Sequence, residues 1–307
     1  MISFIVVDYK TITKTCDYIE HFISKIDNPE QFHFIIVDNF SSSDSVNLLE
    51  SKYDLIERKN IYNKEVSRFK YDLTEICYIY AEDNLGYAKG NNLGTLVSDE
   101  LYFDDYYIIS NNDLKLNSEF KWRKFEDIFK MYKDVGIIGP RIVGLDNRDQ
   151  SPYKKISPIY HMLFYYWLRF WPINAEADLS IIDHNSYCYR VMGCFFIARA
   201  DAFRKAGRFD SHTFMYGEEM ILSERLLGVG FKNYFYYDYS VIHAHGVTVK
   251  KMSSVLQSDQ WCYDSCRYYY ENYRNCSPLL LGLADLNYGL NKCVIRFKER
   301  VKELLRR

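Results

Sequence analysis

The order strand, helix, strand, helix near the start of the chain limits its fold more than any other feature. Residues 3–8 (SFIVVD) form a short apolar run of β-formers, the pattern of a parallel strand buried on both faces. Ile19, Phe22, Ile23 and Ile26 then share one face of an amphipathic helix over 13–26. A second apolar run, FHFIIV at 32–37, ends at Asp38-Asn39, and Ser41, Ser42, Ser43 and Asp44 supply capping side chains for a helix over 46–49. This alternation predicts an α/β fold, a mostly parallel sheet with helices on its faces. Ligands of such sheets lie at the carboxyl ends of the strands, where Asp8 and Asp38 sit.

Residues 52–74 are polar and read as a loop with weak helix. Further strands are expected at 76–80, 105–110 and 135–138, the last broken by Gly139-Pro140, and a helix at 119–132. The segment NLGYAKGNNLG (84–94) opens another helix. Its glycines let backbone approach a ligand closely, and its start offers unpaired N–H groups; a plain glycine-rich turn is the simpler reading. Asn111-Asn112-Asp113 follows a strand, where oxygen ligands hold a divalent cation or the same residues make an ordinary turn. Glu218 and Glu219 open a helix carrying Leu222, Leu226 and Val229, with Gly217 as a flexible entrance. Two carboxylates there complement the helix dipole. Their mutual repulsion also raises the pKa of one of them, which suits a general base.

The net charge of −2 argues against a nucleic-acid partner, and 48% apolar residues suffice for a large core. Eight cysteines show no disulfide framework, and reduced thiols fit a cytoplasmic protein. Cys262, Cys266 and Cys276 match no common zinc spacing. No signal peptide is read at 2–7, and no apolar run is long enough to span a bilayer. The aromatic stretch 160–171 is read equally as a buried helix or lid and as a wall for a sugar or lipid-linked acceptor. In 292–307 seven Lys or Arg stand against two Glu, with Val294, Phe297, Val301 and Leu304 at helical spacing. That pattern fits a helix on an anionic membrane surface, or a solvated terminal helix.

Seven motifs in order carry a family resemblance: IIVDNFSSSDS (35–45), NLGYAKGNNLG (84–94), IISNNDL (108–114), VGIIGPRIVGLDNRDQS (135–151), MGCFFIARADAF (192–203), GRFDSHTFMYGEEMILSERLLGVGF (207–231) and VIHAHG (241–246). The chain resembles family 2 glycosyltransferases of the GT-A fold, in the branch with bacterial rhamnosyl- and galactosyltransferases of surface-polysaccharide synthesis. The resemblance implies a GT-A domain over 1–250 and a helical extension over 251–307. It implies a UDP- or dTDP-sugar donor, a glycan or lipid-linked saccharide acceptor, and Mn2+ or Mg2+. Asp38 resembles the reader of the nucleotide base, and Asn84 with Gly86 the segment packing on base and ribose. Asp8, Asn91, Asn92, Asn112 and Gly193 complete the expected donor edge. Asp113 matches the last acid of the DXD-type metal motif, which here reads Asn-Asn-Asp. His243 matches the histidine that completes the metal site, with His245 as the alternative. Glu219, beside Glu218, matches the base that deprotonates the acceptor, and Asp210 an acid near the acceptor. Arg225 fits the family pattern, whereas Ile221 stands where many relatives carry an acid.

The resemblance further implies a peripheral protein on the inner face of the plasma membrane, with 268–275 packing across the acceptor cleft or mediating a homodimer. A catalytically silent assembly partner of the same fold is the alternative, favoured by Ile221 and the single acid of the metal motif. A nucleotidyltransferase would need a glycine-rich loop after the first strand, which Asp8-Tyr9-Lys10-Thr11 lacks. A processive synthase would need a transmembrane bundle and a Gln-x-x-Arg-Trp motif.

Overall fold

The computed structural model describes residues 1–41, 44–164, 179–244 and 254–305, with backbone only at 164, 255, 298–300 and 302–305. His245, Ser42, Ser43 and the part of the aromatic stretch beyond Phe164 lie outside them.

Strand β1 (Ile2–Asp8) is the centre of the sheet, with β2 (Phe32–Asn39), β5 (Thr74–Ala81) and β6 (Tyr106–Ser110) running parallel around it in the order β5-β2-β1-β6. Beyond β6 the sheet continues through β10 (Phe195–Arg199), β8 (Val135–Gly144), β11 (Lys232–His243) and β7 (Leu114–Leu116), and β9 (Ser186–Cys188) also pairs with β11. The inward residues of β1 alternate between two cores, as strand geometry requires. Ile2, Phe4 and Val6 meet an aromatic cluster under α1 (Ile12–Ile23), with Phe4 and Phe22 ring centroids 4.2 Å apart. Ile5 faces the other way, toward α3 (Gly86–Leu101). Both faces of the central strands are therefore covered, which is why they read as unbroken apolar runs.

Two expectations fail. Residues 52–74 hold no helix beyond the end of α2 (Asp44–Lys52); they form a hairpin of β3 (Asp54–Ile61) and β4 (Lys64–Tyr71). Tyr62 and Asn63, both at positive φ, make its turn. β3 is an exposed edge strand, so it shows no apolar alternation. Gly139-Pro140 does not end β8 either. β10 pairs with β8 only at Ile137 and Ile138, so Pro140 needs no donor on that side. On the other side β11 shifts register between Tyr236 and Ser240 to pass it.

The remaining α-helices among the described residues are α4 (Trp122–Met131), α5 (Ala200–Lys205), α6 (Glu218–Gly228), α7 (Val255–Asn272) and α8 (Pro278–Leu305). The last two pack on α6 through a third core containing Met220, Ile221, Tyr263, Tyr269, Leu281 and Tyr288. Ile221 is fully buried there, so the position where an acid was expected faces the C-terminal helices. All eight cysteines are free thiols. Among the described residues, no helix is long and apolar enough to cross a membrane.

Candidate functional site

The carboxyl ends of β1, β2, β5 and β6 lie side by side, with Asp8 in register with Asp38 and Val6 with Ser110. Asp8 is fully buried and its two oxygens are saturated. Oδ1 accepts from Thr11 Oγ1 (2.7 Å), Thr15 Oγ1 (2.5 Å) and Asn112 Nδ2 (3.3 Å), and Oδ2 from the Thr11 amide (3.2 Å) and Ser41 Oγ (3.0 Å). Asn112 is turned inward with it, also donating to Thr11 and Thr15. Asp38, likewise buried, accepts from the Ser41 amide and Tyr78 OH, both at 2.8 Å. Asp8, Asp38 and Asn112 thus lock three strand ends and the first turn of α1 together rather than presenting free oxygens at the surface. Ser41, expected as a helix cap, serves this hub instead, because a buried carboxylate must collect donors. A cavity of about 480 Å³ opens beside the hub, lined by Lys10, Thr11, Ile12, Thr13, Lys14, Ser41 and Ser45. A second, of about 340 Å³ between Asn28 and Lys130, lies at the other end of the strands.

Asn39 holds the next segment: its Nδ2 donates to Asn84 Oδ1 (2.9 Å) and its Oδ1 accepts from the Leu85 amide (2.7 Å). Asn84 remains partly exposed. Gly86, at φ +73°, is pressed against another loop: a Cβ there would lie 2.2 Å from the Phe214 carbonyl oxygen. The close approach that the glycines of 84–94 suggested is therefore an approach of α3 to protein, at Phe214, Val7 and Ile5. Asn91 donates to the Tyr87 carbonyl within the helix. Asn92 clasps Phe209, accepting from its amide (3.1 Å) and donating to its carbonyl (2.9 Å), and so braces the loop that carries Asp210.

Asp113 and His243 do meet. β7 pairs with the end of β11, and the Ala244 amide donates to the Asp113 carbonyl. His243 Nε2 lies 3.5 Å from Asp113 Oδ1, and both side chains are at most 9% exposed. His243 Nδ1 is 2.8 Å from Gln150 Oε1. An acceptor on Nδ1 is the usual arrangement behind a metal-ligating histidine, whose Nε2 faces the ion. Asp113 Oδ1 is buried without a hydrogen-bond partner. Burial alone would push this carboxyl up; the His243 contact and Lys14 outweigh it and hold it below the usual range. Two ligands each about 2.1 Å from one ion, spread by somewhat more than a right angle, are spaced about as these atoms are. The pair therefore fits a divalent cation. No cluster of three ligating side chains occurs among the described residues.

Glu218 and Glu219 occupy the first turn of α6, after Gly217 at φ +82°. Their environments differ. Glu218 is buried, and burial first, then the charge of Glu219, hold its carboxyl far above the usual range. The folded state therefore retains a proton that the unfolded chain releases, and stability falls as pH rises from about 4.5, the ordinary glutamate value, through the raised one. Glu218→Gln is expected to melt above the parent at pH 8, with the gap closing toward pH 4.5; parallel melting curves across that range would refute the assignment.

Glu219 is partly exposed and lies over the backbone of Gly193, where a Cβ would sit 1.9 Å from its Oε1. The Gly193 carbonyl accepts from Tyr87 OH at 2.6 Å, and Cys194 next to it feels the charges of both Asp113 and Glu219. The Cys194 carbonyl also accepts from the Asn111 amide at 2.8 Å, so the turn at 193–194 is tied to the segment that carries Asp113. In Gly193→Ala the clash falls on the end of a flexible side chain, so the fold should hold while the carboxylate shifts by about 1 Å, a displacement that costs roughly 10²-fold in rate. A variant with unchanged melting and unchanged turnover would show that the position of Glu219 does not matter.

Asp210 is held by the extension: Tyr268 OH (3.0 Å) and Tyr273 OH donate to Oδ2, and the His212 amide to Oδ1 (2.9 Å). Burial would raise this carboxyl, but those donors outweigh it and keep it low. Arg225 bonds the carbonyls of Gly207 and Arg208, fixing the near end of the same loop. Sequence reasoning gave no role to Gln150, Asn39 or Tyr87, although each lies inside a motif it singled out, because their partners are distant in the chain; Tyr268 and Tyr273 entered only as part of the 268–275 segment.

No family model matches the sequence, and no curated protein does. Solved structures match in shape. GalNAc-T7 with UDP, GalNAc and Mn2+ superposes with a TM-score of 0.58 at 12% identity, over 89% of this chain and 49% of that one. S. aureus TarS gives 0.50 at 14% identity, over 89% and 44%. TarS 1–349 in complex with UDP-GlcNAc gives 0.51 at 12% identity, over 89% and 74%. The chain spans about half the length of GalNAc-T7 and less of full TarS. These likenesses show the fold: a mixed α/β GT-A glycosyltransferase fold with added C-terminal helices.

Proposed function

We propose that the chain is an inverting, metal-dependent glycosyltransferase of the family 2 type, moving a sugar from a UDP- or dTDP-sugar to a hydroxyl of a glycan or lipid-linked saccharide in cell-surface polysaccharide synthesis. One observation carries the reading: Glu219 is held over Gly193, in the turn whose Cys194 carbonyl accepts from the Asn111 amide, two residues before the Asp113 that meets His243 at the carboxyl end of β6. In the reaction Glu219 accepts the proton of the acceptor hydroxyl while that oxygen bonds the anomeric carbon. The bond from that carbon to the diphosphate breaks on the opposite face, so the anomeric configuration inverts. Asp113 and His243 would hold a divalent cation, Mn2+ or Mg2+, which would supply Lewis-acid stabilisation to the leaving diphosphate. Asn84 and the exposed turn beside it receive the base, with Lys10 and Lys14 adding positive charge at the adjoining cavity. Asp38 acts from beneath, by holding the Ser41 turn. Asp210 and the tyrosines that grip it shape the acceptor side.

The edge is tested by melting the protein with UDP, dTDP and GDP in the presence of Mn2+. UDP or dTDP at about 100 times its dissociation constant should add about 2.7 kcal/mol of stability. The absence of a shift with any nucleotide would overturn the reading. A binding or assembly role without turnover is the second reading, favoured by the motif Asn111-Asn112-Asp113, which has one acid and whose Asn112 turns inward to Asp8 and Thr15.

A further inference from the structure

Helix α8 has two apolar faces, and among the described residues only one is packed. On the inner face Leu281, Ala284 and Tyr288 are buried, Tyr288 stacks on Tyr263 with centroids 3.8 Å apart, and Asn287 Nδ2 donates to the carbonyls of Met162 and Leu163. Asp285 is taken up by Tyr263 and Arg267. The helix is thereby fixed in rotation, and its other face looks outward. That face carries Leu279, Leu283, Leu286, Leu290, Val294, Phe297 and Val301, with Leu279 75%, Leu286 64% and Phe297 68% exposed. Steps of three and four residues keep all seven in one stripe about 33 Å long. A stripe of that length does not arise from scattered surface leucines.

Charge decides what covers it. From 292 to 307 the chain has seven Lys or Arg and two Glu. The first half of α8 has no cation and one acid, Asp285, already paired. Two copies packed in parallel along the stripe would bring the basic ends together, and antiparallel packing would offer them no anions. A surface of anionic lipid headgroups over hydrocarbon satisfies both features at once. We infer that the outer face of α8 is a docking surface for an anionic bilayer, on which the helix lies flat with the stripe in the headgroup–acyl boundary. Because α8 shares a core with α6, membrane-bound protein would hold its acid pair at a set orientation to the lipid surface. This inference is independent of the sugar-transfer reading.

The test is flotation of the full chain with phosphatidylcholine vesicles, pure or containing about one-third phosphatidylglycerol. Binding to the anionic vesicles should exceed binding to the neutral ones by about tenfold or more and weaken in high salt. The double variant Leu283→Glu, Leu286→Glu should lose it with an unchanged melting temperature, since both side chains are already exposed. Arg296→Glu, a single exposed charge reversal, should weaken it without touching the stripe. Equal binding to both vesicles, or none, would overturn the inference. So would a dimer in solution that the double variant dissociates, which would give the face to a second copy instead.

Discussion

Glu219→Gln should lower kcat by about 10³-fold, within the range for loss of a positioned general base, and leave the dissociation constant of the nucleotide within about threefold of the parent. The asymmetry follows from where the side chain sits. Glu219 is the partly exposed member of the pair and lies over Gly193, whereas the sheet edge proposed to receive the nucleotide is built by Asn39, Asn84 and the Asp8 hub. Glutamine keeps the size and loses only the ability to take a proton. The neighbouring Glu218 is no substitute, because burial keeps it protonated and enclosed. Melting curves and nucleotide titrations on the same preparation separate loss of chemistry from loss of fold. Turnover near the parent rate would remove Glu219 from the reaction.

Asp113→Ala should weaken the half-saturating concentration of Mn2+ by about 10²-fold or more, since a buried oxygen with no other partner is lost from the ion's surroundings. Gln150→Ala should act in the same direction and more weakly, by about 10- to 100-fold, because it removes the acceptor that orients His243. The order of these two effects matters more than either value. If Gln150→Ala changes the metal requirement and Asp113→Ala does not, the histidine is oriented for another purpose. Activity that is untouched by EDTA in the parent would remove the ion from the account.

The readability of the chain varied by segment for physical reasons. Strands β1, β2, β5 and β6 announce themselves because both faces are buried and each carries an apolar run, at 4–7, 34–37, 76–80 and 106–109. The β3–β4 hairpin is silent because its outer strand is solvated. Asp113, His243, Glu218 and Glu219 stood out as chemistry-bearing residues, and the fold does bring the first two together, while Glu219 lies over Gly193 in the turn bonded to Asn111. Conformational detail was hidden. The sequence marks Asp8 and Asp38 as acids at strand ends, yet their hydrogen bonds run inward to Thr11, Thr15 and Tyr78, which no local pattern reveals. Glycines 86, 90 and 94 signal close approach correctly, but the approaching surface is a loop and a sheet. Ile221 reads as a lost acid until α7 and α8 are seen packing on it. Asp210 depends on Tyr268 and Tyr273, more than fifty residues onward, and such a contact leaves no trace in spacing.

The central claim is sugar transfer at the edge shared by Glu219, Asp113 and His243. Its most direct test is nucleotide release from UDP-, dTDP- and GDP-sugars by the full chain with Mn2+, with glycan and lipid-linked saccharide acceptors, before and after EDTA. The account predicts release from a UDP- or dTDP-sugar that EDTA abolishes, with a product of inverted anomeric configuration. Tight nucleotide binding with no release from any donor and any acceptor would contradict it and leave a protein of the GT-A fold that binds without turning over.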